Sequence, residues 1–157
     1  MTKTKFIWLI TLPILLFECG YKPINQENNK KIYFQEITVI GEQKDAYTLK
    51  NNISLISNKN SKKKYNAKII LTKKKNSKIK DSSGRVTRYG LTYSASLDLI
   101  NLKNNETIQK TFFRNIDYNV AKVHSDTIEA QKNAQETIIQ RLADDIINFV
   151  NMYVRYE

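Results

Sequence analysis

Several residue types are scarce in this sequence of 157 residues, which contains one cysteine, one histidine, two prolines and four glycines. A single cysteine cannot form a disulfide within the chain, so it is a buried thiol, a reactive thiol or an attachment point. Four glycines leave little room for a glycine-rich phosphate-binding loop. These shortages exclude an internal disulfide and argue against nucleotide chemistry.

Side chains that catalyse reactions or bind metals are equally sparse. His124 lies in the predicted loop before the last helix, where a capping or surface role is usual. Asp144 and Asp145 are adjacent, and adjacent carboxylates on a helix point about 100° apart, which is typical of a solvated pair rather than a metal site. We therefore expect no enzymatic activity, no cofactor and no metal site.

An apolar segment near the amino terminus precedes the one cysteine, Cys19. Lys3 and Lys5 lead into uncharged residues 6–17, which would span only ~18 Å as a helix, against the ~30 Å hydrocarbon core of a bilayer. A short basic flank and an apolar stretch of this length are typical of a secretory signal. A buried core helix and an uncleaved membrane anchor are the alternatives.

The surroundings of Cys19 resemble the processing site of a bacterial lipoprotein, in which the cysteine becomes the mature amino terminus and carries acyl chains. Leu16 lies three residues before the cysteine, as in that pattern, whereas Phe17 and Glu18 stand where small residues are usual. The resemblance implies a signal peptide at residues 1–18. The glycine that follows the cysteine favours the outer membrane, with the lipid-anchored protein on its periplasmic face.

Positive charge is concentrated in one segment of a chain whose formal net charge is +11. Residues 62–88 contain nine lysines and two arginines against one acid, Asp81. A cluster of this kind indicates an anionic partner, with a merely solvated face as the alternative. The cations expected to meet that partner are Lys73, Lys74, Lys75, Lys78, Lys80, Arg85 and Arg88.

The remaining patterns predict one tether and one domain. Residues 19–31 are the lipid anchor and its tether, of which residues 22–31 are polar and lack periodicity. Residues 32–157 carry strand and helix patterns in the order β-α-β-β-β-α. A sheet with one apolar face and one polar face is antiparallel and covered on one side. We therefore expect an α+β two-layer sandwich, in which a four-stranded, mainly antiparallel sheet carries two helices on one face.

Each predicted strand has its own pattern. The first, residues 32–40, should bury Tyr33, Ile37 and Val39. The second, residues 65–75, should outrun the core at its all-lysine end, before a turn at residues 82–84. The third alternates most clearly, with an apolar face made of Tyr89, Leu91, Tyr93, Ala95, Leu97 and Leu99. The fourth should alternate at Ile108, Phe112, Ile116 and Tyr118.

Two amphipathic helices complete the prediction. Asp45 is placed to cap the first helix, in which Ala46, Leu49, Ile53 and Ile56 follow helical spacing. Asp126, with Glu129 three residues later, resembles a capping pair at the start of the last helix. The apolar stripe of that helix is Ala134, Ile138, Leu142, Ile146, Phe149 and Tyr153.

Four stretches together resemble the LPS-assembly lipoprotein LptE family in its alphaproteobacterial form. "CGYKP" resembles the mature amino terminus of the family, and "RVTRYGLTYSASLDLIN" its central strand. "TFFRNIDYNV" is similar to the strand that follows, and "AQKNAQETIIQRLADDIINFV" to the terminal helix. No single motif is specific, but their order and spacing behind the cysteine favour this family.

The resemblance implies a non-enzymatic protein that plugs the lumen of the outer-membrane barrel LptD, helps it assemble and contacts lipopolysaccharide during transport. A plug needs a polar face towards a wet lumen, and a lipopolysaccharide contact needs cations. The partner-facing positions would be Thr92, Ser94, Ser96, Asn115 and Asp117. The alternatives are another envelope lipoprotein, binding peptidoglycan or a different barrel, and a basic nucleic-acid-binding module, which export from the cytoplasm argues against.

Overall fold

Four strands and two helices alternate in the computed structural model, which describes residues 32–156. The order β-α-β-β-β-α is the predicted one. In chain order the elements are β1 (Ile32–Ile40), α1 (Gln43–Ser54), β2 (Lys63–Lys80), β3 (Val86–Asn101), β4 (Thr107–Asn119) and α2 (His124–Tyr156). The predicted signal peptide, Cys19 and the tether lie outside the described residues.

The strands form one sheet in the order β1-β2-β3-β4. β1 pairs with β2 in parallel, because α1 carries the chain back across the sheet between them. The other two pairs are antiparallel, and the β2–β3 hairpin closes through Gly84, whose φ of 83° is costly for any residue with a side chain. The prediction of a four-stranded, mainly antiparallel sheet in an α+β domain is confirmed.

One face of the sheet packs against both helices and forms the core. The predicted apolar face of β3 is buried, with Leu91, Tyr93, Ala95 and Leu97 fully excluded from solvent. On the helices, the side chains in the same cluster are Ala46, Leu49, Ile53, Ala134, Ile138, Ile139, Leu142, Ala143, Ile146, Val150 and Val154. Neither of the two helices in residues 32–156 packs on the opposite, open face of the sheet, as expected for a two-layer sandwich.

The prediction for β1 is wrong at its first position. A bulge between Phe34 and Glu36 shifts the pairing with β2 by one residue. As a result, even-numbered side chains face the core before the bulge and odd-numbered side chains face it afterwards. Ile32 and Phe34 are buried before the bulge and Ile37 after it, whereas Tyr33 is only half-buried. Strict alternation through residues 32–40 cannot reproduce this pattern.

Both predicted helix caps are also misplaced. Glu42 is the N-cap residue of α1, and Asp45 lies inside the first turn with its side chain buried. α2 begins at His124, so Asp126 lies in its first turn rather than before it. The stripe at the carboxyl end of α2 is rotated as well, since Val150 and Val154 are buried while Phe149 and Tyr153 are only partly buried.

Candidate functional site

The β2–β3 hairpin extends beyond the core, as its all-lysine end predicts. β1 stops where Ile40 pairs with Ile70, and Leu71 is the last buried residue of β2. Every residue of β2 from Lys74 to Lys80 is exposed, although β2 stays paired with β3 through this region. The hairpin therefore presents the predicted cations on a ribbon that projects from the domain.

Two of the seven predicted cations turn towards the helices and already have partners. The Lys73 ammonium lies 2.8 Å from Oε2 of Glu42 and 4.0 Å from Oδ2 of Asp45. The Lys75 ammonium donates to Oε1 of Gln131 at 2.8 Å and lies 4.2 Å from the centre of the Tyr89 ring. These two side chains hold the root of the hairpin against α1 and α2.

Three other lysines of the cluster, Lys74, Lys78 and Lys80, form no ion pair with the described residues. The aliphatic part of Lys78 lies across Gly90, where a Cβ atom would be only 2.4 Å from its Cε. Because Gly90 faces away from the helices, the Lys78 stem covers the open face of the sheet. Arg88 faces the same way and donates to Oδ1 of Asn119 at 2.9 Å.

The seventh cation, Arg85, stabilises the turn at the tip. Oδ1 of Asp81 accepts from the backbone N–H of Ser83 at 2.9 Å and of Arg85 at 3.0 Å, and Oδ2 accepts from Arg85 Nε at 3.0 Å. The hydrogen bond from the Ser83 hydroxyl contributes most to holding the pKa of the Asp81 carboxyl below its usual range. The structure thus divides the predicted cluster between two faces and a turn.

The five predicted partner-facing residues share the open face of the sheet. Thr92 pairs with Asn115 across β3 and β4, and the neighbouring row places Asp117 opposite Gly90. Ser94 and Ser96 continue the same face along β3, where the Ser96 and Thr111 hydroxyl oxygens are 3.2 Å apart. The sequence therefore places these five side chains on one face correctly.

Apolar side chains also lie on this open face, which the sequence reading did not include. Ile70 pairs with Ile40 on one side and Ser96 on the other, and Phe113 lies opposite Ser94. Their exposed fractions are 45% for Ile70, 50% for Ile40 and 66% for Phe113. Large exposed apolar groups among hydroxyl and amide groups are a common composition for a protein-contact surface.

A buried polar network inside the domain was missed by the sequence reading. The hydroxyl of Tyr93, on β3, donates to Oδ2 of Asp45 on α1 and accepts from Nε2 of Gln135 on α2 at 3.3 Å. Burial is the main cause, and the Asp45 hydrogen bond the second, of a pKa for Tyr93 that lies well above the usual value of a tyrosine. These two hydrogen bonds join β3 to both helices, which fits a structural role.

His124, Asp144 and Asp145, the residues considered above for catalysis or metal binding, lie at separate positions on α2. His124 is the exposed first residue of α2, whereas the sequence predicts it in the preceding loop. Asp144 is exposed, while Asp145 is paired with Arg114 of β4 at 2.6 Å. Among residues 32–156, no group of three or more histidine, cysteine or acidic side chains is placed to hold a metal ion. No helix in that part of the chain is long and apolar enough to cross a membrane.

Comparison with known families gives one match, over residues 33–150, to LptE, described as lipopolysaccharide-assembly. The matched range covers all four strands, α1 and most of α2. No curated protein sequence matches the chain.

Solved structures of similar fold come from three bacteria. An uncharacterized lipoprotein B from Nitrosomonas europaea has a TM-score of 0.63 at 16% identity, over 87% of this chain and 93% of its own. The rare lipoprotein B from Shewanella oneidensis has a TM-score of 0.57 at 11% identity, over 75% and 95%. A candidate lipoprotein from Caulobacter crescentus has a TM-score of 0.56 at 17% identity, over 83% and 95%. At these identities the likeness establishes the fold.

Proposed function

The chain belongs to the LptE lipopolysaccharide-assembly family, and from this premise we propose that it is a non-enzymatic outer-membrane lipoprotein that plugs and helps assemble the LptD barrel. In this role it also contacts lipopolysaccharide on its way to the cell surface. In this proposal Cys19 carries the lipid and the open face of the sheet contacts the barrel. The projecting hairpin binds the anionic glycolipid.

The observation that carries the barrel contact is the helix-free face of the sheet. Its polar positions, at Thr92, Ser94, Ser96, Asn115 and Asp117, lie in one plane across β3 and β4. Such a face suits the wet wall of a barrel lumen, where hydroxyl and amide groups exchange hydrogen bonds with the wall directly or through water. Ile70 and Phe113 add apolar contact area to the same surface.

The proposed glycolipid contact rests on the cations that have no acidic partner. Lys74, Lys78 and Lys80 are exposed and unpaired by carboxylates of the described residues, and Arg88 makes one neutral hydrogen bond. Ammonium and guanidinium groups form short, charge-assisted hydrogen bonds with phosphate and carboxylate oxygens. Lys73, Lys75 and Arg85, which have intramolecular partners, support this surface by holding the hairpin in place.

The proposed lipid anchor completes the arrangement. Several acyl chains on Cys19 would hold the protein stably at a bilayer, since each buried methylene contributes about 0.8 kcal/mol and one chain alone binds weakly. Twelve residues, 20–31, then separate Cys19 from the start of β1. This length lets the domain reach a partner embedded in the same membrane.

Photo-crosslinking in cells tests the barrel contact. A photoreactive residue at Thr92, Ser96 or Asn115 should trap one large outer-membrane protein, whereas one at Leu97, which is fully buried, should trap nothing. Each variant is first compared with the unmodified chain by circular dichroism to establish that it is folded. Depletion of the protein should lower the amount of assembled barrel together with surface lipopolysaccharide.

Two results would contradict the proposal. Crosslinks to peptidoglycan, or to many unrelated proteins, would favour a different envelope lipoprotein. Unchanged barrel levels after depletion would remove the assembly role even if the crosslinks were specific.

A further inference from the structure

Beyond the point where β1 ends, no strand of residues 32–156 pairs with the outer edge of β2. The last β1–β2 pair is Ile40 with Ile70, after which Gly41 turns the chain towards α1. An added Cβ on Gly41 would lie 2.8 Å from the carbonyl oxygen of Leu71, so that oxygen points towards the β1 side of β2. Backbone groups alternate between the two sides of a strand. The N–H and C=O groups of Lys73 and Lys75 therefore point outwards as well.

Nothing in the described part of the chain pairs with these groups. The backbone hydrogen bonds outside the strand ladders include none to Lys73 or Lys75. The corresponding edge of β1 is treated differently, since the backbone N–H of Phe34 donates to the Ser57 hydroxyl and the Ile32 carbonyl accepts from Asn58. The start of the β1 edge is thus paired with residues 57 and 58, whereas the β2 edge at Lys73 and Lys75 has no backbone partner among residues 32–156.

Lysines on an edge strand commonly block the approach of another strand. Here the side chains of Lys73 and Lys75, the two lysines whose backbone groups face outwards, bind to residues on the helix side of the sheet and do not block the edge. Glu42 holds the Lys73 ammonium at 2.8 Å on the helix side, and Gln131 holds that of Lys75 at 2.8 Å. Of the remaining lysines on the hairpin, Lys74 lies within the unpaired part of β2, and Lys78 and Lys80 follow it towards the tip. All three are exposed and add positive charge to this region.

We propose that the edge of β2 at residues 72–77 binds an extended acidic segment of a partner protein, which adds to the sheet as a strand collinear with β1. Backbone hydrogen bonds to Lys73 and Lys75 would supply affinity, as in other cases of strand addition. A carboxylate of the segment would meet Lys74, and the exposed Lys78 and Lys80 that follow on the hairpin would add to the positive potential that attracts it. A second copy of this chain is a poor occupant, because pairing two such edges would bring lysines against lysines. The inference does not depend on the barrel being the partner.

Peptide binding to the purified full-length chain in detergent tests this site. The probe is a short peptide that alternates glutamate with valine, and the matched control alternates lysine with valine. Binding of the acidic peptide should slow amide hydrogen exchange at Lys73 and Lys75 by about tenfold or more. Exchange at Thr72 and Lys74, whose amides face β3, should not change.

Two pairs of variants separate the backbone and charge contributions. Lys75→Pro removes an outward N–H, so it should abolish acidic-peptide binding, whereas Lys75→Gln should bind like the unmodified chain within about threefold. Reversing the charge at Lys74 and Lys78 with glutamate should weaken binding by about tenfold, while the same reversal at Lys62 and Lys64 should not. The charge pair remains informative if the proline variant does not fold.

Three outcomes would overturn the proposal. Equal binding of the acidic and basic peptides would remove the charge argument. Protection confined to the amides of β4 would place the acceptor edge on the opposite side of the sheet. Protection of Lys73 and Lys75 through concentration-dependent dimerisation, without peptide, would make a second copy of the chain the occupant.

Discussion

The buried hydroxyl of Tyr93, in the middle of β3, donates a hydrogen bond to the carboxylate of Asp45 in the first turn of α1. Asp45 is 7% exposed, and Tyr93 is fully buried. A carboxylate removed from water needs such partners, because an unpaired buried charge is costly. Lys73 approaches the same carboxylate from β2, at 4.0 Å. The contact therefore fixes α1 over the exact part of the sheet from which the hairpin projects.

Replacing Tyr93 with phenylalanine should destabilise the domain. Tyr93→Phe leaves the ring in place but deprives Asp45 of a buried donor, and a change of this kind costs about 1–3 kcal/mol. Tyr47→Phe is the matched control, since Tyr47 lies on α1 with Asp45 but is 67% exposed, and it should change the free energy of unfolding by about 0.5 kcal/mol or less. Urea unfolding measures both. Equal stability of the two variants would mean that the Tyr93–Asp45 contact contributes nothing.

The role of Asp45 illustrates why sequence periodicity predicts elements better than contacts. An acidic residue just before an apolar helical pattern is a good candidate for a cap, and the helix itself was predicted correctly. The burial of the Asp45 side chain in the first turn of the helix depends on Tyr93, which lies 48 residues later in the chain. A local pattern contains no information about a partner at that distance.

Strand alternation, which is also a local pattern, predicts some features of the sheet and misses others. The faces of β3 and β4 follow from strict alternation, so Thr92, Ser94, Ser96, Asn115 and Asp117 could be placed on one surface from the sequence. The bulge at Phe34 in β1 interrupts alternation without a glycine or proline to signal it. The sequence suggests that the lysines at residues 73–75 form one cluster. Alternate residues of a strand face opposite sides of the sheet, so Lys73 and Lys75 face the helices and Lys74 faces the other way.

Gly41, which follows β1, and Gly90, inside β3, should differ in their tolerance of a methyl group. In Gly41→Ala the new Cβ would lie 2.8 Å from the backbone oxygen of Leu71, which cannot move without disturbing β2. We expect a loss of about 1–3 kcal/mol in unfolding free energy. In Gly90→Ala the closest atom is Cε of Lys78, the flexible end of a side chain that can swing aside, so the change should stay within about 0.5 kcal/mol. Thermal unfolding compares them, and the reverse ranking would contradict this account of the β1–β2 junction.

The proposed anchor predicts that the native protein has a shortened amino terminus that carries lipid. If Cys19 is processed as in bacterial lipoproteins, mass spectrometry of the membrane-extracted chain should show that residues 1–18 are absent and that lipid is attached at the new amino terminus. Cys19→Ser should abolish both the processing and the lipid mass, while the domain at residues 32–157 stays folded. An intact, unmodified amino terminus on the native protein would refute the lipoprotein proposal and implicate Glu18, the charged residue beside the expected cleavage site.

Lipopolysaccharide binding should depend on where positive charge is removed and not only on how much. Lys74, Lys78 and Lys80 lie on the projecting hairpin, and replacing all three with glutamine should weaken binding by about tenfold or more, equivalent to about 1.4 kcal/mol. The matched control replaces Lys62, Lys64 and Lys103, which line a shallow cavity at the opposite end of the sheet. Lys64 and Lys74 are ten residues apart on β2, about 33 Å along an extended strand, so the two ends of the domain are tested separately.

Both triple variants carry the same net charge, and their exposed positions should leave the melting temperature nearly unchanged. Binding to immobilised lipopolysaccharide at physiological ionic strength measures the difference, because exposed charges are screened beyond about 8 Å under those conditions and long-range attraction no longer dominates. A selective loss in the hairpin variant would assign the contact to that surface. Equal losses in the two variants would reduce the hairpin to a contributor of net charge, and unchanged binding in both would leave the lysine cluster as the protective charge of an exposed sheet edge.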